Sequence, residues 1–327
     1  MPTTREEILR ILHHNAGFAR PELWVEYALG HGFKPVEAVR ISDCPECGGR
    51  PNRSIGQFVY YSTLIRLLEC RRCTLMWADA RIDQAVMQSH FEREYKDETY
   101  FAEDRQAINE HLAAIVDKHA SPGARILDIG GAKGHLMHRA LLRRPDLQVT
   151  VHDISIIATT WAATNFGFQT ICGDVRALES HRQTYDVVVL SDVLYYEPDL
   201  RLLWSVLQRL VTPGGSIVIR VPNRWTQIRI RQRMRDVFST AMQRMLQDRV
   251  RHFNREHYYI FSRQYLEDHL RRLGCGDVRA LPSPLRSSPR WGTAQAVYFR
   301  LASALNLVSG RNLVFTPSMV LIGRRSR

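Results

Sequence analysis

Three observations predict a doubly wound α/β protein with a parallel-type sheet of seven strands. Strands and helices alternate from about residue 125 onward, two of the strands are apolar on both faces, and a glycine-rich turn links the first strand of the series to a helix. Alternation of this kind places helices on both sides of a largely parallel sheet. Runs such as "YDVVVL" and "SIVIRV" are what strands buried on both faces require. The 327 residues suffice for one such domain and a smaller companion.

Taken in order, the chain divides into four stretches. Residues 1–40 form N-terminal helices: "MPTTREEILRILHHN" carries Thr3 and Glu6 at capping-box spacing, and "ARPELWVEYALG" runs from Pro21 in a first turn to Gly30 at a helix end. Acids stand where an export signal would be basic and then apolar, which points to the cytoplasm. Residues 41–80 change character, with two cysteine pairs flanking "GQFVYYSTLIRLLE", rich in β-branched and aromatic residues and therefore a hairpin. Residues 81–120 are a polar helical connector closed by Pro122 and Gly123. Residues 121–327 hold the sheet, with strands expected at 125–129, 148–152, 168–172, 185–190, 216–221, 277–281 and 318–323.

The turn after the first of these strands reads "ILDIGGAKGHL". It does not fit the dinucleotide pattern G-x-G-x-x-G, because Ala132 and His135 stand where the second and third glycines belong. A Walker loop is excluded as well, since no Gly-Lys-Ser/Thr follows. What remains is Asp128-x-Gly130-x-Ala132-x-Gly134, with an acid two residues ahead of the first glycine. That acid repels a pyrophosphate and suits a ligand bearing a cationic ammonium group.

On these residues the chain resembles the class I S-adenosylmethionine-dependent methyltransferases, and the likeness continues in order through "VTVHDIS", "CGDVRAL", "YDVVVLSDVLYYEPDL" and "LVTPGGSIVIRVPN". It covers residues 85 to 327, ending in "RNLVFTPSMVLIGRR", which is similar to that family's antiparallel last strand. The resemblance implies a Rossmann-like seven-stranded methyltransferase sheet. It also implies a cofactor, S-adenosylmethionine, held by Asp128, Gly130, Gly131, Gly134, Asp153, Ile154, Asp174, Val175, Ser191 and Tyr100. In that comparison Asp153 accepts from the ribose hydroxyls and Asp174 from the adenine amino group. Ala132 departs from the family's usual middle glycine.

Cys44-x-x-Cys47 and Cys70-x-x-Cys73 are two knuckles on a hairpin, and four thiolates complete a tetrahedral Zn²⁺ shell with no open position. The metal is therefore expected to be structural. A ribbon ahead of such a core resembles bacterial methyltransferases acting on sugars and natural products, in which connector aromatics such as Tyr95 and Tyr100 lie near the cofactor's methionine end. Docking of the connector alone accounts for them equally well.

For chemistry, methyl transfer needs orientation, exclusion of water and a base near the acceptor's proton. Tyr195, Tyr196 and Glu197 follow the fourth strand, and His257 is a further candidate for touching substrate. Relatives commonly carry histidine where Tyr196 stands. The net charge of +12 is concentrated in residues 224–255, where nine arginines face only Asp236 and Asp248. Ile230, Met234, Val237, Ala241 and Met245 recur there at helical spacing, so the segment reads as an amphipathic lid helix inserted after the fifth strand. Its basic face fits solvent, an anionic lipid surface or a phosphate-bearing substrate, and an aromatic-lined pocket argues against nucleic acid. A small-molecule acceptor is the expected partner. An RNA or nucleotide methyltransferase, and a methyltransferase-like interaction protein without activity, are the alternatives.

Overall fold

A computed structural model describes residues 38–60, 63–82, 84–97, 104–237, 257–286 and 292–326. The expected helices in residues 1–37, Tyr100, and the arginine-rich stretch beyond Val237 lie outside the described residues. The chain forms two compact units, Met1–Met87 with Trp225–Ser262, and Gln88–Arg224 with Arg263–Arg327.

The larger unit contains a seven-stranded sheet. Its strands are β6 (Arg125–Ile129), β7 (Gln148–Asp153), β8 (Gln169–Cys172), β9 (Tyr185–Ser191), β10 (Val211–Pro222), β12 (Cys275–Pro282) and β13 (Ser318–Arg325), in the order β12-β13-β10-β9-β6-β7-β8. Pairing is parallel from β8 to β10, and β13 runs antiparallel to both of its neighbours. The order reverses direction at β6, which has β9 on one side and β7 on the other, and such a switch point opens a crevice beyond the strands' carboxyl ends. Every expected strand is present, most extended by one or more residues.

The core explains why these segments are strands. Val187 and Val189 of β9, Ile126 of β6, Val149 and Val151 of β7 and Val218 of β10 pack with Ile108, Leu112 and Val116 of the helix Gln106–His119. β-branched side chains on a two-sided buried sheet have little χ1 freedom to lose. The intervening helices are punctuated locally: Ser155 accepts from the Ala158 amide at the start of Ile156–Phe166, which ends on the left-handed Gly167, and Asp199 accepts from the Leu202 amide at the start of Leu200–Leu210.

The smaller unit is built on β2 (Pro51–Tyr60) and β3 (Thr63–Cys70), the hairpin expected between the cysteine pairs, extended by β4 (Met76–Ala78) and β11 (Tyr259–Ile260). A two-stranded ladder joins β1 (Ala38–Arg40) to β5 (Ala80–Ile82). In the helix Arg224–Val237, Ile230 of the expected apolar stripe is 47% exposed. Trp225 and Ile228 are the residues that pack, against Leu67, Met76 and Ile260 of the smaller unit's sheet, while Arg229 lies over the Trp225 ring and pairs with the buried Glu69. Among the described residues no helix is long and apolar enough to cross a membrane.

One buried acid stitches the smaller unit. Asp79 accepts from the Arg66 amide at 2.7 Å, from Arg66 Nε at 2.6 Å and from the Arg40 guanidinium at 3.3 Å. Asp79→Ala removes the acceptor of the Arg66 amide and should cost about 1–3 kcal/mol. The expected readout is faster amide hydrogen exchange across β3 and β4, and unchanged exchange there would contradict it.

Candidate active site and cysteine cluster

β6 delivers Asp128 to the carboxyl edge of the sheet, and the chain then turns into the helix His135–Arg143. The Gly130 and Gly131 amides both donate to the His152 carbonyl, at 2.7 and 3.0 Å, which ties the turn to β7. Gly130 has φ +69°, and a Cβ there would lie 2.4 Å from a Val193 methyl. At Gly131 a Cβ would come within 2.7 Å of Asp128 Oδ2. Neither site admits a larger residue without displacing its neighbour. Ala132 holds φ +50°, so the alanine keeps the left-handed conformation that suits glycine, at a cost of about 1–2 kcal/mol. Asp153, at the end of β7, meets part of that cost by accepting from the Ala132 amide at 2.9 Å through Oδ2, while Oδ1 accepts from the Ser155 amide.

Asp128 is the anomaly of this turn. Its side chain is buried, and neither carboxylate oxygen has a hydrogen-bond partner among the described residues. Burial, with the Asp153 carboxylate adding to it and Arg105 opposing, pushes the Asp128 carboxyl up to about 8. Burial also raises Asp153, to about 6, against the pull of its backbone donors. A buried acid with an unused acceptor surface beside a glycine cradle fits a cationic ligand group. Lys133, in the same turn, is buried as well; its Nζ donates to the Asp97 carbonyl at 2.7 Å and lies 5.4 Å from the Trp161 ring centre.

Beyond Val193 the edge of β9 and β10 is charged. Asp192, with φ +60°, pairs with Arg105 at 2.6 Å and with Arg220. Arg105 also donates to Ser191 Oγ at 3.1 Å, and Arg220 Nε to Ser283 Oγ at 2.7 Å. Tyr195 is buried among these groups, and burial together with Asp192 holds its phenol well above the ordinary range, so it stays protonated near neutral pH. Tyr196 is half-buried, its ring meeting Phe91 edge-on, and Phe91 stacks on Tyr95. Burial raises Glu197 to about 7, the range in which a carboxylate exchanges protons at neutral pH.

The remaining expected residues fall as follows. Asp174 accepts from the amide and guanidinium of Arg176 and caps a short 3₁₀ turn, Val175–Leu178, in which Val175 is buried. Ile154 follows Asp153 directly, and its carbonyl lies 3.9 Å from Cys172 Sγ. The turn, Asp153, Ser191, Tyr195 and Tyr196 thus belong to the larger unit. His257 is buried in the smaller one, next to Tyr258, whose carbonyl accepts from the Ala78 amide. Arg105 and Lys133 were not anticipated. Arg105 lies in a polar connector without periodic signal, and Lys133 occupies a motif position that carries no residue rule.

In the smaller unit the sulfurs of Cys44, Cys47, Cys70 and Cys73 all lie within 4.8 Å of one another, with Cys44–Cys73 at 3.5 Å and Cys47–Cys70 at 3.4 Å. A tetrahedral four-thiolate zinc shell with bonds of about 2.3 Å spaces its sulfurs by about 3.8 Å. The two knuckles share a backbone device: the residue after each second cysteine, Gly48 at φ +66° and Thr74 at φ +60°, is left-handed. The Cys73 thiol beside Cys44 holds the latter below the ordinary thiol range.

Comparison with known proteins bears mostly on residues of the larger unit. Residues 100–280 match a family model described as a methyltransferase domain. A malonyl-[acyl-carrier protein] O-methyltransferase of Acetivibrio thermocellus is 28% identical over 122 residues, covering 36% of this chain and 43% of that protein. An uncharacterized methyltransferase of Mycobacterium bovis is 31% identical over 115 residues, covering 34% of this chain and 57% of its own length. The chain therefore spans about half the length of the curated relatives it matches. A crystal structure of a SAM-dependent methyltransferase from Archaeoglobus fulgidus is similar at 17% identity and a TM-score of 0.44, over 74% of this chain and 100% of that one.

The Asp128 carboxyl gives the larger unit a distinctive pH response. In the folded chain it ionises at about 8, whereas an unfolded chain releases the proton in the ordinary carboxylate range. Stability therefore falls as pH rises between those limits. Asp128→Asn should melt about 2–4 °C above the parent at pH 8, with the difference shrinking toward pH 4. Equal melting at pH 8 would contradict the buried, unpaired acid.

Proposed function

The chain belongs to the methyltransferase-domain family, and we propose that it transfers the methyl group of S-adenosylmethionine to a small-molecule acceptor, with a structural zinc ion in its cysteine ribbon. The observation that carries this reading is the buried Asp128 carboxylate beside the glycine cradle. A phosphate-bearing dinucleotide would meet repulsion there, whereas the α-ammonium of a methionine moiety finds an acceptor. Ala132 keeps the turn's left-handed geometry, which favours a working site over a decayed one.

When bound, the cofactor supplies an electrophilic methyl on a sulfonium. The chain's own residues do the rest. Asp128 would hold the ammonium, and Arg105, within electrostatic reach of Asp128, would hold the carboxylate of the same moiety. Asp153 and Asp174 retain acceptor capacity for ribose hydroxyls and the adenine amino group alongside their backbone bonds, since each carboxylate oxygen has two lone pairs. Ile154, Val175 and Ser191 are proposed to line the same site. Tyr195 and Tyr196 wall the acceptor side, with Tyr195 donating rather than accepting a proton. Glu197 can receive the proton of a hydroxyl or acidic carbon.

The enclosed setting of Tyr195 favours a small acceptor over a nucleic acid, and four reduced, metal-held thiols suit the cytoplasm. The ribbon has no free coordination position, so zinc there stabilises the smaller unit and takes no part in methyl transfer. Trp225 and Ile228, packed on the same sheet, make the start of the arginine-rich helix part of that unit's core.

S-adenosylhomocysteine titrated calorimetrically into the full chain should bind one molecule per chain, and Asp128→Asn should weaken it about tenfold or more while the variant remains folded. Because the ammonium needs the ionised acid, the parent's affinity should rise from pH 6 to about 8 and the variant's should rise less. A chain indifferent to S-adenosylhomocysteine would overturn the reading. For the ribbon, one zinc per chain is expected by metal analysis, and Cys70→Ser should lose most of it together with thermal stability. Full retention of both would refute the four-thiolate site.

A further inference from the structure

The connection between β12 and β13 carries more chain than the sheet requires. Antiparallel neighbours can be joined by a two-residue turn, yet residues 283–317 separate these two strands and include a 17-residue helix, Gly292–Val308. One side of that helix is docked on its own unit. Ala302 and Asn306 are buried, Asn306 Nδ2 donates to the carbonyls of Ala280 at 3.3 Å and Leu313 at 2.8 Å, and the Phe299 ring meets His111 edge-on. These contacts fix which way the rest of the helix points.

The side turned away from them is apolar. Ala294, Val297, Leu301, Ala304 and Val308 follow one another at steps of three and four, with Tyr298 and Leu305 alongside, an a/d seam of the kind that packs on another helix. All seven are exposed, Leu301 to 66% and Val308 to 86%. Phe315, whose carbonyl accepts from the Tyr298 hydroxyl at 2.7 Å, is exposed as well and widens the patch. By their fractional exposure, Phe315 and the five larger residues of the seam open on the order of 600 Å² to solvent. That is the upper end for a monomer's largest patch and close to the about 800 Å² that each partner gives a stable interface. Arg300 is the one charged residue of the helix, so a partner recognised by charge finds little to hold, and like chains meet with little repulsion.

The seam is also symmetric about Leu301. Turned end for end, it sets Ala294 against Val308, Ala304 against Tyr298 and Val297 against Leu305, so each alanine meets a larger side chain and Leu301 meets its own copy. Such a pattern is self-complementary, as an isologous contact requires of a patch that serves both subunits. We propose that this face is covered by the same helix of a second copy of the chain, the two packed antiparallel across a two-fold axis at Leu301. The pairing stands whether or not the chain transfers methyl groups.

Sedimentation equilibrium of the full chain, followed from about 1 to 100 μM, should show a reversible dimer with a Kd of about 10 μM or tighter. Leu301→Glu sets two carboxylates face to face on the axis and should weaken association about a hundredfold or more. The variant should keep the parent's circular dichroism, because the side chain it replaces is mostly exposed. Leu301→Lys should behave alike, and the two variants mixed should recover a heterodimer, since an axis through residue 301 brings their opposite charges together. Leu307→Glu, exposed on another side of the helix, should stay dimeric. A parent that is monomeric throughout the range, whether the face then meets lipid or an unrelated protein, would overturn the proposal. So would a Leu301→Glu chain that dimerises like the parent, a mixture that stays monomeric, or a Leu307→Glu chain as disrupted as Leu301→Glu.

Discussion

Gly130 and Val193 approach so closely that only a hydrogen fits between the turn's backbone and the valine side chain. Much of the larger unit's functional edge depends on that contact. It draws the loop after β9 against the turn after β6, so that residues some sixty positions apart border the same space. Cross-bracing from β7 completes the arrangement, because the His152 carbonyl receives two amides of the turn and Asp153 receives a third. A fold of this class leaves a crevice at the switch in strand order. Here the crevice is given its shape by backbone held from three strands, which keeps the turn rigid without requiring glycine at every position.

Electrostatics then divides the edge. Toward β7 lie buried acids, Asp128 and Asp153, both raised by desolvation; beyond β9 lie buried guanidiniums gathered on Asp192. Burial makes each group expensive in isolation and effective once matched. On the proposed reading, Asp128 would hold the ammonium of a zwitterionic ligand and Arg105 its carboxylate. The same logic explains why Tyr195 keeps its proton: an anionic neighbour and a dry setting act in the same direction.

The sequence was informative where a pattern had only one physical outcome. Apolar runs on both faces located β9 and β10, and the paired C-x-x-C spacing located both knuckles, because thiol pairs at that spacing reach a common centre. Asp128 was singled out by its place before the glycines. Lys133 and Arg105 escaped notice because their importance comes from burial, which no local spacing records. The arginine-rich helix shows a different limit. Its periodicity marked a stripe through Ile230, which is exposed, whereas Trp225 and Ile228 pack on a neighbouring apolar surface. Periodicity defines a set of faces, and the partner surface selects among them.

The place of β13 carries a consequence for how the chain matures. This strand, contributed by residues 318–325, is not at the rim of the sheet but between β10 and β12, bonded along its length to each. On a growing chain β12 is synthesised well before the strand that must separate it from β10. Until Ser318–Arg325 has emerged, β10 shows an open rim of amides and carbonyls, and β12 has no ladder to join. Completion of the larger unit thus waits on residues 318–325, and the nascent chain has an interval in which an unpaired strand invites the wrong neighbour.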